Sequence, residues 1–244
     1  MFSETIEWRT STADPSFVAV PTIAPRLESL FSHQPVEQFK TGATVFREGD
    51  AATHVFGVVE GMLRTIKILA GGRRAVVGFA YPGDLLGVSL RSPNFGTAEA
   101  LSPTKIRRLS RDQFRQGVQR CSELNLRLVQ LLCEDMAAAE DRIVLLARKT
   151  AVERVCSLLL LIERRLQKAG RGGPAIEVPM CRLDMADYLG LTKETVCRAM
   201  TRLAELGVLV TSGRHAVLIL SRVKLANLAG DVDGEAGFSR TPHN

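Results

Sequence analysis

A short run near the C-terminus, Lys193 to Arg202, combines cationic, acidic, thiol and hydroxyl side chains. Arg198 has a planar guanidinium that donates two parallel hydrogen bonds, which matches the O6 and N7 acceptors of guanine. Glu194, one helical turn earlier, accepts hydrogen bonds and matches the amino group of cytosine. If the run is a helix, its first turns present four side chains that reach base edges in a major groove: Lys193, Glu194, Cys197 and Arg198.

Further polar side chains in this region are suited to phosphates, which fix the register of a protein on DNA without reading sequence. We assign this role to Thr192, Thr195, Thr201, Arg202 and Arg214. The alternative for Glu194 and Arg198 is a solvated i,i+4 ion pair on a helix surface. We favour base reading, because an acid that faces DNA repels it unless it meets a specific donor.

Two helices joined by a tight turn at Gly190 are predicted to hold these residues. The second helix runs from the N-cap Thr192 to Leu206, and Gly207 ends it. The apolar spacing predicts two inward faces, Leu183, Ala186 and Leu189 on the first helix and Val196, Met200 and Leu203 on the second. The segment 208–220 follows as a hairpin, so the pattern is that of a winged helix-turn-helix.

A longer helix is predicted before this region, because apolar residues recur at alternating steps of three and four. Such a heptad stripe is typical of a coiled-coil seam between two subunits. The predicted seam consists of Val129, Leu132, Met136, Ala139, Ile143 and Leu146. The alternative is that the stripe packs against the chain's own N-terminal domain.

The N-terminal half predicts a different architecture, since Val36 to Leu109 alternates β-branched or aromatic residues with polar ones and is punctuated by glycine. This favours an antiparallel β-roll. The predicted fold class is α+β: an N-terminal antiparallel β-roll, a long dimerisation helix and a C-terminal winged helix-turn-helix. The expected divisions are a tail at 1–20, the β-roll at 21–120, the dimerisation helix at 121–148, the DNA-binding domain at 149–229 and a second tail at 230–244.

Composition excludes several classes of protein. The longest apolar run, Leu158 to Ile162, is far too short to span a membrane, and the N-terminus shows no signal pattern, so we expect a cytoplasmic protein without a membrane partner. The five cysteines are odd in number and widely spaced, which disfavours a disulfide framework or a metal site. We find no catalytic constellation and expect no enzymatic activity. Residues 149–224 hold 13 lysines and arginines against 7 acids, so the basic excess lies in the C-terminal third.

Four segments in this order resemble the CRP/FNR superfamily of transcription regulators: Gly42 to Asp50, Tyr81 to Gly87, Ala151 to Val155 and Leu189 to Arg198. The resemblance covers almost the whole chain. It implies a homodimer whose winged helices bind a palindromic operator in double-stranded DNA while the protein contacts RNA polymerase.

Glu194, Cys197 and Arg198 look most similar to the FixK branch of the FNR group. That branch implies TTGAT-type half-sites, mainly activation, and control of genes for microaerobic or anaerobic respiration, denitrification or nitrogen fixation. We expect no cofactor: Phe95 to Ala98 stands where cyclic-AMP receptors need Arg followed by Ser or Thr, the acidic partner is Asp84 rather than Glu, and no cysteine precedes Cys121 for an iron–sulfur cluster. The alternative function is a ligand-gated, CRP-like receptor whose β-roll binds a small molecule.

Cys197 is also a candidate redox switch. It lies beside Arg198 near a helix N-terminus, which favours the thiolate, and oxidation would place negative charge against the DNA backbone. FixK-type members with cysteine here are thought to be redox-sensitive, so the resemblance implies the same. The alternative is a small residue that fits against a thymine methyl or a sugar.

Overall fold

The computed structural model describes residues 26–88, 92–168, 173, 175–213 and 216–230. The predicted tails therefore lie outside the described residues, apart from residue 230. A short 3-10 helix, Leu27–Phe31, opens the described chain. It is followed by β1 Val36–Phe39, β2 Thr44–Phe46, β3 His54–Glu60, β4 Leu63–Ile68, β5 Arg74–Ala80, β6 Leu85–Leu86, β7 Thr97–Ala100, β8 Thr104–Ser110, α1 Arg111–Gln119, α2 Ser122–Arg148, α3 Ala151–Lys168, β9 Ala175–Glu177, α4 Arg182–Leu189, α5 Lys193–Glu205, β10 Leu209–Ser212, β11 Ala216–Ile219 and α6 Arg222–Leu228.

The N-terminal half is an antiparallel β-roll made of two four-stranded sheets, with strand orders β1-β8-β3-β6 and β2-β7-β4-β5. Their inner faces bury Val58, Leu63, Ala80, Ala100 and Ile106. Gly61 joins β3 to β4 at φ 85°, and a Cβ there would lie 2.4 Å from the Pro103 carbonyl oxygen, so the turn requires glycine. The α+β fold class predicted from the sequence is confirmed.

α2 has 27 residues, which makes it about 40 Å long. Leu124 is its one buried residue, and it belongs to a small core that α1 and α2 form with the 3-10 helix and strands β3 and β8. All six predicted seam residues are exposed in the single chain, and the five larger ones range from Leu146 at 36% to Ile143 at 66%. The chain's own β-roll therefore does not cover the stripe.

The C-terminal domain packs α3, α4, α5 and α6 against a three-stranded antiparallel sheet of order β10-β11-β9. β10 and β11 form the predicted hairpin, and β9 adds a third strand to it. Among the described residues, no helix combines the length and the apolar character needed to cross a bilayer.

One predicted core position of this domain is wrong. Leu183 is 47% exposed, whereas Met185, Ala186 and Leu189 are buried. At about 100° per residue, Leu183 lies more than a quarter turn from the middle of the arc formed by those three side chains. The three-residue step from Leu183 to Ala186 resembled a helical stripe, but the real stripe runs through Met185.

Candidate nucleic-acid interface

α5 begins at a well-formed N-cap. Thr192 has extended backbone angles, and its Oγ1 accepts a hydrogen bond from the Thr195 amide at 3.2 Å. Before it, Gly190 adopts the left-handed conformation at φ 62°, and the Leu191 amide donates to the Ala186 carbonyl at 3.0 Å. α4 and α5 are thereby joined by a turn of three residues, which is the helix-turn-helix arrangement.

The buried side of α5 consists of Val196, Ala199, Met200 and Leu203. The predicted inward residues Val196, Met200 and Leu203 are at most 4% exposed, so this prediction is confirmed. Gly207 follows the helix at φ 64°, and the next amide, of Val208, donates back to the Leu203 carbonyl at 3.0 Å. The capping and packing fix which side of α5 faces solvent.

The four predicted base-reading residues, Lys193, Glu194, Cys197 and Arg198, are all exposed in the first two turns of α5. In the part of the chain that the structure describes, Glu194 and Arg198 form no ion pair; the Arg198 Nη2 instead donates to the Thr195 Oγ1 at 3.3 Å. The alternative, a solvated ion pair between Glu194 and Arg198, is therefore not observed among the described residues. Both charges are exposed to solvent on one helix face.

Of the predicted phosphate-contacting residues, Thr192, Thr201 and Arg202 are exposed and Thr195 is partly buried. Arg202 forms an exposed ion pair with Glu205 at 3.5 Å. Arg214 lies outside the described residues.

The structure adds a neighbour of Cys197 that sequence reasoning missed. Arg182, the first residue of α4, lies near Cys197. Burial lowers the pKa of the Arg182 guanidinium, and an electrostatic interaction with Cys197 opposes that shift. Cys197 is exposed, whereas Cys156 is buried, and burial raises the pKa of the Cys156 thiol to about 12.

In the β-roll, Asp84 is already bound within the chain: its Oδ1 accepts from the Arg165 Nη1 at 3.0 Å and its Oδ2 from the Tyr81 amide at 2.9 Å. The Thr97 hydroxyl accepts from the Glu48 amide at 2.9 Å, and the ring of Phe95 lies 3.8 Å from the Lys67 Nζ. The polar groups of Asp84 and Thr97 thus have partners within the chain. Across the described ranges, no three His, Cys, Asp or Glu side chains are close enough together to hold a metal ion.

A cavity of about 40 Å³ lies where the β-roll meets the C-terminal domain, between Met62, Tyr81, Leu166 and Pro179. Tyr81 also has a buried hydroxyl, which has no hydrogen-bond partner among the residues that the structure describes. Because pockets for drug-sized ligands measure roughly 300–1,000 Å³, this cavity has room for water rather than for a nucleotide.

Comparisons with known proteins agree with this architecture. A family model described as a cyclic nucleotide-binding domain matches residues 36–121, and one described as a Crp-like helix-turn-helix domain matches residues 153–228. The nitrogen fixation regulation protein FixK of Bradyrhizobium diazoefficiens is 36% identical over 187 residues, which cover 76% of this chain and 79% of that protein. The transcriptional activator protein FnrA of Stutzerimonas stutzeri is 32% identical over 193 residues, covering 78% of this chain and 79% of that protein.

The solved structure of FixK2 from Bradyrhizobium japonicum matches with a TM-score of 0.75 at 33% identity, covering 84% of this chain and 99% of that chain. The chain therefore belongs to the CRP/FNR family of transcription regulators, with a cyclic nucleotide-binding-type domain and a Crp-like helix-turn-helix domain. The resemblance stated from the sequence is confirmed.

Proposed function

We propose that this regulator binds, as a homodimer, a palindrome of TTGAT-type half-sites in double-stranded DNA and acts mainly as an activator. The observation that carries the proposal is the exposed group of Lys193, Glu194, Cys197 and Arg198 on the first turns of a capped α5. The N-terminal turns of the second helix are the part of a helix-turn-helix that contacts base edges.

Arg198 and Glu194 are assigned to one base pair of the half-site. Arg198 donates to the O6 and N7 of guanine, and Glu194 accepts from the amino group of the paired cytosine. Each such contact is worth about 1–3 kcal/mol of discrimination against a wrong base. The bond from Arg198 to Thr195, at 3.3 Å between exposed groups, is weak enough to be exchanged for guanine.

Phosphate contacts are assigned to Thr192, Thr195, Thr201 and Arg202, and to Arg214 on the sequence alone. Arg202 would exchange its exposed bond with Glu205 for a phosphate oxygen, which costs little because exposed ion pairs are worth about 0–1 kcal/mol. These contacts supply affinity and register, and their strength depends on salt.

The homodimer is assigned to the exposed seam of α2. Replacing Ile143 with Asp would place a charge in the seam, whereas Val144→Asp alters a neighbour that is 55% exposed but lies outside the heptad stripe. Sedimentation should report a monomer for Ile143→Asp and a dimer for Val144→Asp. A dimer of wild-type stability for Ile143→Asp would contradict the assignment.

We further propose that the regulator works in the cytoplasm without a bound cofactor, contacts RNA polymerase, and controls genes for microaerobic or anaerobic respiration, denitrification or nitrogen fixation. Support comes from its similarity to proteins named nitrogen fixation regulation protein FixK. The lack of an arginine in Phe95 to Ala98 and the bond between Asp84 and Arg165 also support cofactor-free action.

The experiment is an anisotropy titration of reduced, purified protein, without additions, on TTGAT-N4-ATCAA and on a scrambled duplex at fixed salt. We expect the palindrome to bind at least about a thousandfold more tightly than the scrambled duplex. Equal binding to both duplexes by a folded dimer would overturn the proposal. Preference that arises only after a cyclic nucleotide is added would support the ligand-gated receptor instead.

Cys197 is assigned as a redox switch. Its thiolate would attack a peroxide oxygen, the O–O bond would break with release of hydroxide, and further oxidation by peroxide would give a charged sulfinate that repels the DNA backbone. Peroxide should weaken DNA binding by the wild type and by Cys133→Ser, another exposed cysteine, but not by Cys197→Ser. Equal loss in all three proteins would overturn the assignment.

A further inference from the structure

α4 carries two carboxylates that bind arginines of the β-roll. Arg74, the first residue of β5, donates from Nη2 to the Asp184 Oδ1 at 2.9 Å and from Nε to the Asp187 Oδ2 at 2.8 Å. Arg64 of β4 donates to the same Asp184 oxygen and also binds Glu99 of β7 at 2.7 Å. The Asp184 side chain is only 2% exposed, so the contact between the domains is built around a buried charge.

Arg142 brings a third element to the same helix. From the C-terminal third of α2, its guanidinium donates to the carbonyls of Val76 and Val77 on β5 and, at 3.2 Å, to the Tyr188 carbonyl of α4. The guanidinium also lies 4.2 Å from the centre of the Tyr188 ring, which packs against Phe79 of β5 at 5.1 Å. One side chain therefore connects the long helix, the β-roll and the helix-turn-helix.

We call Arg64, Arg74, Arg142, Asp184, Asp187 and Tyr188 the α4 clamp. None of the six belongs to the buried apolar core of the C-terminal domain, which α3, α4, α5 and the three-stranded sheet form and which Met62 and Tyr81 of the β-roll join. Burying ionic groups is weak evidence for stability, since well-packed apolar residues often stabilise as much or more. What the clamp adds is a fixed orientation between elements far apart in the chain.

The position of α5 depends on the position of α4. The two helices pack against each other, contribute residues such as Met185 and Met200 to one buried cluster, and are joined by a turn of three residues. In a two-fold dimer joined along α2, the separation and angle of the two copies of α5 depend on how each is held relative to its own α2. That separation sets the distance between the half-sites that can be bound together.

We propose that the α4 clamp fixes the angle of the recognition helix relative to the dimer helix and so selects the spacer length between half-sites. This inference rests on the proposed function, a dimer on a palindrome. No clamp residue is assigned to a base, so Arg64, Arg74 and Arg142 are positioning residues. Their loss should change which spacer is bound without changing which half-site is read.

The test is selection of duplexes from a random pool by the full-length protein, followed by Kd measurements on the selected half-sites with altered spacers. For the wild type, shifting the spacer by one base pair should weaken binding roughly tenfold, and for Arg142→Ala only about twofold. Arg127→Ala is the matched control, because Arg127 is an exposed arginine of α2 whose hydrogen bond among the described residues is local, to Gln130. It should keep the wild-type spacer preference.

A folded Arg142→Ala dimer with the wild-type spacer preference would overturn the inference, even if its affinity were lower. If Arg142→Ala does not fold, the spacer preference of Asp187→Asn is measured instead. This substitution removes a more exposed part of the clamp, and an unchanged preference in its folded dimer would likewise overturn the inference. If the proposed function is wrong, the result is different, because the wild type itself would select no inverted repeat. That result would overturn both the proposed function and this inference. Selection of new half-site sequences by Arg142→Ala would also contradict a positioning role.

Discussion

The two helices of the helix-turn-helix hold their charges in opposite surroundings. On α4, Asp184 is buried and accepts hydrogen bonds from two arginines of the β-roll and from the Cys181 amide. On α5, Glu194 and Arg198 are exposed four residues apart and form no ion pair among the described residues. The same residue types thus serve the chain's own structure on one helix and are available to an external partner on the other.

The difference follows from the cost of desolvation. A carboxylate taken out of water needs opposite charges and hydrogen bonds around it, and removing them leaves an uncompensated buried charge. An exposed charge has no such need, and it keeps its hydration until a partner such as DNA replaces the water. Substitution of the buried charge on α4 should therefore lower the stability of the fold, whereas substitution of the exposed charges on α5 should change DNA binding and leave the stability nearly unchanged.

The largest expected effect is on stability, in Asp184→Asn. A neutral amide would leave Arg64 and Arg74 facing each other without their shared counter-charge, so the free energy of unfolding should fall by about 3 kcal/mol. Urea unfolding followed by circular dichroism measures it. Asp187→Asn, whose side chain is 18% exposed, is the graded control and should lose about 1 kcal/mol. Equal, small losses in both would remove the contrast between the helices.

Sequence reasoning predicted α5 better than α4 for a physical reason. The signals for α5 are local: the cap at Thr192, the left-handed glycines 190 and 207, and an apolar spacing of four and three. The charges of α4 find their partners in the β-roll, and Arg64 and Asp184 are 120 residues apart in the chain. Periodicity within α4 therefore carries no sign of the clamp, and it wrongly placed Leu183 in the core.

In the β-roll, too, local features were predictable from the sequence, whereas contacts between distant parts of the chain were not. Its strands were predictable because strand alternation and turn glycines are short-range features, as at the left-handed Gly71 and Gly72 in the hairpin between β4 and β5. The bond between Asp84 and Arg165 joins the β-roll to α3, and the two residues are 81 positions apart in the chain. A local sequence pattern therefore could not predict this bond. The sequence showed Asp84 only as a departure from the glutamate of cyclic-AMP receptors, whereas the fold shows that its partners, Arg165 and the Tyr81 amide, are within the chain.

A smaller effect, in DNA binding alone, is expected for Arg198→Ala. Losing a bidentate guanine contact should weaken binding to the palindrome by about 1–3 kcal/mol per half-site and leave the scrambled duplex and the unfolding free energy nearly unchanged. Arg202→Ala is the matched arginine on the same helix. It should weaken both duplexes alike and reduce the salt dependence by about one ion per site. If both variants lose affinity for the two duplexes equally, Arg198 does not read a base.

The smallest effect tests an α5 charge that does have a partner. Glu205 pairs with Arg202 at 3.5 Å, but the two side chains are 59% and 62% exposed, so Glu205→Gln should change the unfolding free energy by less than about 0.5 kcal/mol. Because the substitution removes an acid that competes for Arg202, it should tighten binding to the palindrome and to the scrambled duplex by the same small factor, most clearly at low salt. A loss as large as that of Asp184→Asn would mean that an exposed pair on α5 stabilises the fold as strongly as the buried clamp, and the contrast would then rest on something other than burial.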